Sequence, residues 1–170
     1  GIINTSNFAR ENNIPYLGIC FGFQLAAVSF ARNVCNYSDA NSTEIEEKTS
    51  NPIIDLLPEQ DDVTDMGGSL RLGANEINVK PNTLANKIYG QERISKRHRH
   101  RYEFNTKYLD EFAENGMIFS GESDNGRRME ILEIPSHKFF VGVQFHPEFN
   151  SRPGYPEQVF KAFTTAANQN

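Results

Sequence analysis

The chain has 170 residues, of which 38% are hydrophobic and 23% are charged. This length and composition suit one domain with a hydrophobic core, and they make wholesale disorder unexpected. The net charge of −5 makes the protein a poor candidate for general nucleic-acid binding. No apolar run approaches the ~20 residues that span a bilayer, and no signal-peptide pattern opens the chain. We therefore expect neither a nucleic-acid nor a membrane partner.

The chain contains two cysteines, Cys20 and Cys35. One short bridge would be a poor framework for a domain of this size, and the two residues have different sequence surroundings. This usage fits a reducing, cytoplasmic setting in which one of the two thiols is reactive.

Hydrophobic periodicity predicts helices interleaved with strands, which is typical of an α/β fold. The predicted elements, in chain order, are a helix over 2–13, a strand over 14–20, a helix over 23–34, strands over 52–57, 69–74 and 76–79, helices over 83–89 and 107–115, strands over 129–134 and 139–145, and a helix over 157–167. The segments 124–126 and 135–138 have the composition of hairpin turns.

The stretch 18–22 has the form Gly-x-Cys-x-Gly, between a predicted strand and a predicted helix. A sharp strand-to-helix turn would expose the central side chain, and glycines on both sides would relieve its steric crowding. At a helix N-terminus a thiolate is stabilised, and the N–H of Phe21 becomes a natural oxyanion donor. The alternative is an ordinary buried cysteine at the end of a strand. The stretch alone therefore makes Cys20 a candidate nucleophile and no more.

A second candidate group follows the apolar strand near the other end of the chain. His146 is followed two residues later by Glu148. A cysteine nucleophile needs a base, and the base needs a group that orients it. Taken alone, His-Pro-Glu could be an ordinary turn. Occurring together with the cysteine turn, it predicts a Cys20–His146–Glu148 triad at the carboxyl ends of two strands.

These two motifs resemble those of the class I (triad) glutamine amidotransferase family. The likeness runs nearly end to end, and the stretches 39–44, 66–73 and 97–103 narrow it to the branch of the family that aminates UTP to CTP. The resemblance implies an open, mostly parallel sheet flanked by helices. Phe21 and Phe23 stand where the family commonly has Leu and Met.

The resemblance also implies roles for individual residues. Cys20 would attack the side-chain amide of L-glutamine, His146 would act as base and then acid, and Glu148 would orient His146. The glutamine-binding residues would be Phe21, Gly22, Phe23, Gln24, Glu44 and Arg101. No metal is expected in this domain.

For the whole protein, the resemblance implies a glutamine-hydrolysing ligase of pyrimidine nucleotide biosynthesis. A synthase domain of the same chain would use ATP and Mg²⁺, and the assembly would be a homotetramer that can form filaments. Residues 1–170 would be the glutaminase domain without the N-terminal part of its fold. A loop in that part donates the second oxyanion N–H, so we expect weak or no glutaminase activity from these residues alone.

Two other readings of the sequence stay open. One is another class I amidotransferase, of the GMP synthetase or anthranilate synthase type, and the other is a catalytically silent assembly or regulatory module. The stretch 97–101 could also be a phosphate-binding patch, and His98 with His100 could be a metal pair that lacks further ligands. With the resemblance, we expect Arg101 in the glutamine pocket.

Overall fold

The computed structural model describes residues 1–56 and 70–169. Its helices are α1 (Ile2–Glu11), α2 (Phe21–Asn33), α3 (Leu84–Tyr89), α4 (Leu109–Glu114) and α5 (Gln158–Ala167). Its strands are β1 (Tyr16–Ile19), β2 (Asn41–Ser42), β3 (Pro52–Asp55), β4 (Arg71–Val79), β5 (Arg93–His100), β6 (Glu103–Phe104), β7 (Ile118–Ser123), β8 (Arg128–Glu133) and β9 (Phe140–Val143).

Most predicted elements are present, with ends shifted by a few residues. Four strands of the structure were not predicted: β2, β5, β6 and β7. The periodicity does not predict β7 because Ser120, Gly121 and Glu122 interrupt its apolar pattern. The strand predicted over 52–57 ends at Asp55, and the two strands predicted over 69–79 are one strand, β4. Residues 57 and 69, together with the glycines at 67 and 68, lie outside the described residues.

Six strands form one sheet in the order β1-β9-β8-β7-β4-β5, and three short strands form a second sheet in the order β2-β3-β6. In the larger sheet only the β1–β9 pair is parallel, among the strands described. The pairs β9–β8, β8–β7, β7–β4 and β4–β5 are antiparallel.

The α/β architecture with helices against a sheet is therefore as predicted, but the described sheet is mixed and not mostly parallel. For the β7–β8 and β8–β9 pairs, the reason is the length of the connections. The turns at 124–127 and 134–139 are too short for a crossover, and short connections can join only antiparallel strands. Both segments were predicted as hairpin turns, and those predictions are confirmed.

The hydrophobic core lies on both faces of the larger sheet. Successive residues of a strand point to opposite faces, so Leu132 packs with α2 and α4 while Ile131 packs with α3 and α5. Helix α2 is buried continuously from Phe23 to Ala31, because it lies between the sheet and α1. The fold thereby holds the first turn of α2 rigidly at the end of β1.

The turn from β1 into α2 has a strained backbone. Cys20 has φ 50° and ψ −102°, in a region that non-glycine residues seldom adopt. A Cβ added at Gly18 would lie 2.7 Å from the carbonyl carbon and oxygen of Gly22. A Cβ added at Gly22 would meet nothing nearer than the Tyr16 hydroxyl, at 3.8 Å. The turn therefore requires a glycine at position 18, whereas the expected steric need for Gly22 is not found.

A set of buried and half-buried polar side chains, the ionic cluster, lies between β4, β5, β6, β7 and β8. Its members are Arg71, His98, His100, Glu103, Ser123, Arg128 and Glu130. The Nδ1 atom of His100 lies 3.2 Å from the carbonyl oxygen of Tyr102, which can only accept. His100 Nδ1 therefore carries a proton, and in the neutral ring His100 Nε2 accepts from His98 Nδ1 at 3.0 Å.

Burial makes both imidazoles of the ionic cluster hard to charge. It lowers the pKa of His98 to about 2 and that of His100 to about 3, and the Arg71 guanidinium adds to both effects. Burial raises the pKa of Glu103 to about 7, and the neighbouring Glu130 carboxylate adds to that rise. The two histidines are therefore neutral at pH 7, and a phosphate-binding role for them is not supported.

We predict opposite effects for alanine at the two glycines of the turn. Gly18→Ala should lower the free energy of unfolding by about 1–3 kcal/mol, because the new methyl group overpacks against the backbone of residue 22. Gly22→Ala should leave stability unchanged or raise it by up to ~1 kcal/mol, because alanine is the better helix former. Urea denaturation of both variants tests this, and equal stabilities would contradict it.

We also predict that His98 makes the protein acid-sensitive. Its folded pKa lies below the unfolded value near 6.5, so the unfolded chain takes up a proton that the folded protein cannot. The stabilising contribution is complete above pH 6.5, and it falls by about 1.4 kcal/mol per pH unit as the pH drops further. His98→Asn keeps a donor near the Nδ1 position and does not titrate.

The measurement is the free energy of unfolding between pH 4 and 8. Between pH 4.5 and 6 the unfolding free energy of the variant should change less steeply with pH than that of the unsubstituted protein. The difference in slope corresponds to the uptake of about one proton, or ~1.4 kcal/mol per pH unit. Between pH 7 and 8 the two proteins should have the same slope, which serves as the internal control. Parallel curves over the whole range would contradict the prediction.

Candidate active site

One cavity of about 1010 Å³ opens where β1 passes into α2. Its wall collects residues from α2, the loop after β2, the start of β4 and the end of β5. They are Cys20, Phe21, Gln24, Glu44, Ile45, Leu70, Arg99, His100, Arg101 and Tyr102. Five of the predicted site residues thus share one cavity, although they are up to 81 positions apart in the sequence.

Cys20 lies in this wall with its sulfur between two polar groups. The Sγ–H donates to the carbonyl oxygen of Arg99 at 3.8 Å, and Nε2 of Gln144 donates to the sulfur at 3.8 Å. Burial, with smaller contributions from the carboxylates of Glu148 and Glu44, raises the pKa of this thiol to about 11. A hydrogen bond from the N–H of Phe21 acts in the opposite direction but is weaker. The helix N-terminus therefore favours the thiolate, as expected, but burial outweighs this effect, and a base would be needed at neutral pH.

His146 and Glu148 lie beyond the end of β9 and contact each other. His146 Nδ1 lies 2.6 Å from Oε1 of Glu148, and the backbone N–H of His146 donates to the carbonyl of Arg97 at 2.9 Å. Because Nδ1 is held by the carboxylate, Nε2 is the atom left for proton transfer. Among the described residues Nε2 has no hydrogen-bond partner.

Strand pairing explains why the cysteine and the histidine come to the same edge of the sheet. Ile19 of β1 is paired with Val143 of β9, and the N–H of Cys20 donates to the carbonyl of Val143 at 2.8 Å. Parallel strands end at the same edge. Cys20 therefore lies level with Gln144, and His146 comes two residues later at the same edge of the sheet.

The predicted glutamine-binding residues on the cavity wall differ in charge and burial. Gln24 is buried in the first turn of α2, and its Nε2 donates to the carbonyl of Tyr102 at 2.9 Å. Glu44 lies exposed in the loop after β2, and Arg101 follows β5. The wall thus presents a carboxylate and a guanidinium as well as the amide of Gln24.

Three predicted residues of α2 are placed differently from one another. Phe21 is 40% exposed and lines the cavity. Phe23 is fully buried with its ring 6.2 Å from that of Phe119, so its side chain belongs to the core and does not line the cavity. The reason is that residues two apart on a helix point in nearly opposite directions. Gly22 is absent from the wall, and its carbonyl accepts from the Tyr16 hydroxyl at 2.9 Å.

Several residues near Cys20 were not among the predicted site residues. Arg99, His100 and Tyr102 belong to the stretch 97–103 that had been singled out, but only Arg101 had been given a role. Gln144 precedes His146 by two residues, and the β1–β9 register would have placed it beside Cys20. The sequence signal was therefore present, but using it required the strand pairing.

Cys35 differs from Cys20 in its position and its burial. It is buried in the hydrophobic core, outside the cavity wall. Burial raises its pKa to about 11. Its position is that of a side chain that packs in the core.

Residues 1–56 and 70–169 contain no sign of two other kinds of site. In that part of the chain no three side chains of His, Cys, Asp or Glu come together in a way that could hold a metal ion. No helix in it combines the length and the apolar character needed to cross a membrane.

Comparison with known proteins gives consistent matches. The family model of class I glutamine amidotransferases matches residues 1–166. The chain is 55% identical over 167 residues to CTP synthase from Archaeoglobus fulgidus and 56% identical over 167 residues to CTP synthase from Staphylococcus saprophyticus. Each match covers 98% of this chain but 31% of the relative, so the chain spans about a third of the length of these relatives.

Among solved structures, the chain is similar to the glutaminase domain of Trypanosoma brucei CTPS with bound acivicin. The TM-score is 0.93 at 36% sequence identity, and the match covers 99% of this chain and 66% of the other. The fold and the family predicted from the sequence are therefore confirmed. From the family match over nearly its whole length, we conclude that the chain belongs to the class I glutamine amidotransferases.

Proposed function

We propose that this chain is the glutaminase part of a CTP synthase, which hydrolyses L-glutamine to glutamate and ammonia. One observation carries the proposal: the thiol of Cys20 lies in a cavity whose wall presents both the Glu44 carboxylate and the Arg101 guanidinium. A free amino acid carries an ammonium and a carboxylate, and these two side chains complement them.

The first half of the reaction forms a thioester. His146 takes the proton of the Cys20 thiol at Nε2, and the sulfur attacks the side-chain carboxamide carbon of glutamine. The N–H of Phe21 donates to the oxyanion that develops. His146 then returns the proton to the nitrogen, and the C–N bond breaks. Ammonia departs, and the γ-glutamyl group remains attached to Cys20 as a thioester. The 2.6 Å contact between Glu148 and Nδ1 supports this assignment, because it stabilises the imidazolium.

In the second half, water hydrolyses the thioester. His146 removes a proton from the water, hydroxide attacks the carbonyl carbon, and the proton returns to the departing sulfur. Glutamine and water are thus converted to glutamate and ammonia. The high pKa of the free thiol, about 11, explains why a neighbouring base is required at neutral pH.

Charge explains how glutamine would be oriented in the cavity. Glu44 would bind its α-ammonium group, and Arg101 would bind its α-carboxylate with two parallel hydrogen bonds. Both hydrogens of the Gln24 amide are already engaged, by the carbonyl of Tyr102 and by Oε1 of Gln144. Gln24 can therefore offer glutamine only its carbonyl oxygen, as an acceptor.

For the whole protein we propose the reaction that the printed names of the relatives indicate. Ammonia would pass to a synthase domain of the same chain, where ATP and Mg²⁺ activate UTP for amination to CTP. The glutaminase chemistry itself needs no cofactor. We further propose that the whole protein is a cytoplasmic homotetramer that acts in pyrimidine nucleotide biosynthesis and can assemble into filaments. The high identity to CTP synthases favours this branch over the GMP synthetase type and over a silent module.

Cys20→Ala should abolish glutamine hydrolysis in the full-length protein. We expect the rate of ammonia release to fall by more than about a thousand-fold, because removing a nucleophile removes covalent catalysis. Cys35→Ala is the matched control and should retain activity, since that thiol is in the core. Ammonia release that survives Cys20→Ala would overturn the nucleophile assignment. A requirement for XMP or chorismate in place of UTP would overturn the choice of branch.

Arg101→Lys should weaken the use of glutamine while sparing the use of free ammonia. A lysine cannot form the bidentate pair, so we expect kcat/KM for glutamine to fall about 10- to 100-fold. Arg93→Lys is the control, because Arg93 lies exposed at the other end of β5, 3.6 Å from Glu76. CTP formation from added ammonium should be equal in both variants. An equal loss with glutamine and with ammonium would contradict a role in glutamine binding.

A further inference from the structure

The side chain of Gln144 connects the sulfur of Cys20 to the buried amide of Gln24. Its Nε2 donates to the sulfur of Cys20 at 3.8 Å, and its Oε1 accepts from Nε2 of Gln24 at 3.2 Å. Gln144 is fully buried. A buried amide with both ends engaged is restricted to one orientation, because rotation would leave polar atoms without partners.

The direction of this chain of hydrogen bonds is set at its far end. The carbonyl of Tyr102 can only accept, so Gln24 must present its amide nitrogen there. The second hydrogen of that nitrogen points to Gln144, which must therefore present its oxygen to Gln24. As a result, Gln144 must present its own amide nitrogen to the sulfur of Cys20. The carbonyl of Tyr102 thus determines that the sulfur faces a donor.

The backbone of Gln144 is held as firmly as its side chain. Its N–H donates to the carbonyl of Glu130 at 2.9 Å, and the preceding residue, Val143, accepts from the N–H of Cys20 at 2.8 Å. The two Cα positions are therefore fixed relative to each other by the sheet. The amide of Gln144 therefore starts from a fixed point beside the sulfur.

The two polar neighbours of the sulfur have opposite preferences for its protonation state. The carbonyl of Arg99 accepts from the S–H group and so favours the thiol. The amide of Gln144 donates and so favours the thiolate, and a donor bond to an ionised atom is stronger than one to a neutral atom. When the proton leaves, the carbonyl repels the sulfur and the amide attracts it.

We propose that Gln144 is a positioning residue, which holds the sulfur of Cys20 as a thiolate in the orientation for attack, and that Gln24 acts on the sulfur through Gln144. The proposal rests on the proposed function for its role in turnover, but the contact itself can be tested without any substrate. The donor bond from Gln144 acts against the effect of burial on the Cys20 pKa.

The test is the rate at which iodoacetamide alkylates Cys20 at pH 8, quantified by mass spectrometry of the Cys20 peptide. Gln144→Met keeps the length of the side chain but removes the donor. Losing a hydrogen bond to an ionised group raises a pKa by about one unit or more. Each unit of pKa lowers the thiolate fraction at pH 8 about tenfold. The more basic thiolate is the better nucleophile and recovers part of this loss, so the alkylation rate should fall about threefold per pKa unit.

Two references show whether the effect is specific. Gln91→Met replaces an exposed glutamine in the turn before β5 and should alkylate as fast as the unsubstituted protein. Alkylation of buried Cys35 reports unfolding in each variant, and the melting temperature is measured beside it. A variant that exposes Cys35 is unfolded, and the comparison then rests on the Gln24 variant.

A double-substitution cycle tests whether Gln24 acts through Gln144. Gln24→Met alone frees the Gln144 amide to rotate, so the rate should fall, by less than in Gln144→Met. In the double variant the rate should equal that of Gln144→Met, because Gln24 then has no amide to orient. If the two substitutions instead slow alkylation by factors that multiply in the double variant, Gln24 does not act through Gln144.

The outcomes separate this proposal from the proposed function. A folded Gln144→Met protein that alkylates at the rate of the unsubstituted protein would overturn the role of Gln144, whatever the enzyme activity. If Cys20→Ala still releases ammonia from glutamine, the proposed function fails, and a slower alkylation of Cys20 in Gln144→Met would still establish the contact.

Discussion

The parallel pairing of β1 with β9 is the constraint on which the candidate site depends. It places the N–H of Cys20 against the carbonyl of Val143, so the sequence after β9 must continue beside the cysteine turn. Gln144 then reaches the sulfur, and His146 follows within the same edge of the sheet. The remaining pairs of the larger sheet, antiparallel among the described strands, build the layer that holds this edge and place the end of β5 on the other side of the cavity.

Burial works against the chemistry that the site is proposed to perform. The turn that presents Cys20 also removes it from water, and the pKa of its thiol rises to about 11. Donors on the protein oppose this rise, from the backbone of Phe21 and from the side chain of Gln144. A thiol kept neutral until a base acts is protected from unwanted oxidation or alkylation, since the thiolate is the reactive form. In the proposed mechanism, His146 supplies that base.

Much of the family assignment was accessible from local sequence, but details of the site were not. The spacing of Gly18, Cys20 and Gly22 predicted the strand-to-helix turn, and the structure shows this turn with a positive φ at Cys20. The same spacing could not show that only Gly18 is sterically required. Nor could it show that Phe23 points into the core, because that depends on which face of α2 meets the sheet. The catalytic and binding roles themselves stay predictions.

The sequence by itself determined the family, the α/β class and the residue types available for chemistry, because motifs of five to seven neighbouring residues carry that information. Only the tertiary structure decided the mixed pairing of the described strands, the neutral state of His98 and the contact between Gln144 and Cys20. The physical reason is that these properties depend on burial and strand register. The contact joins residues 124 positions apart, and a shift of the register by one residue would turn Gln144 to the opposite face of the sheet.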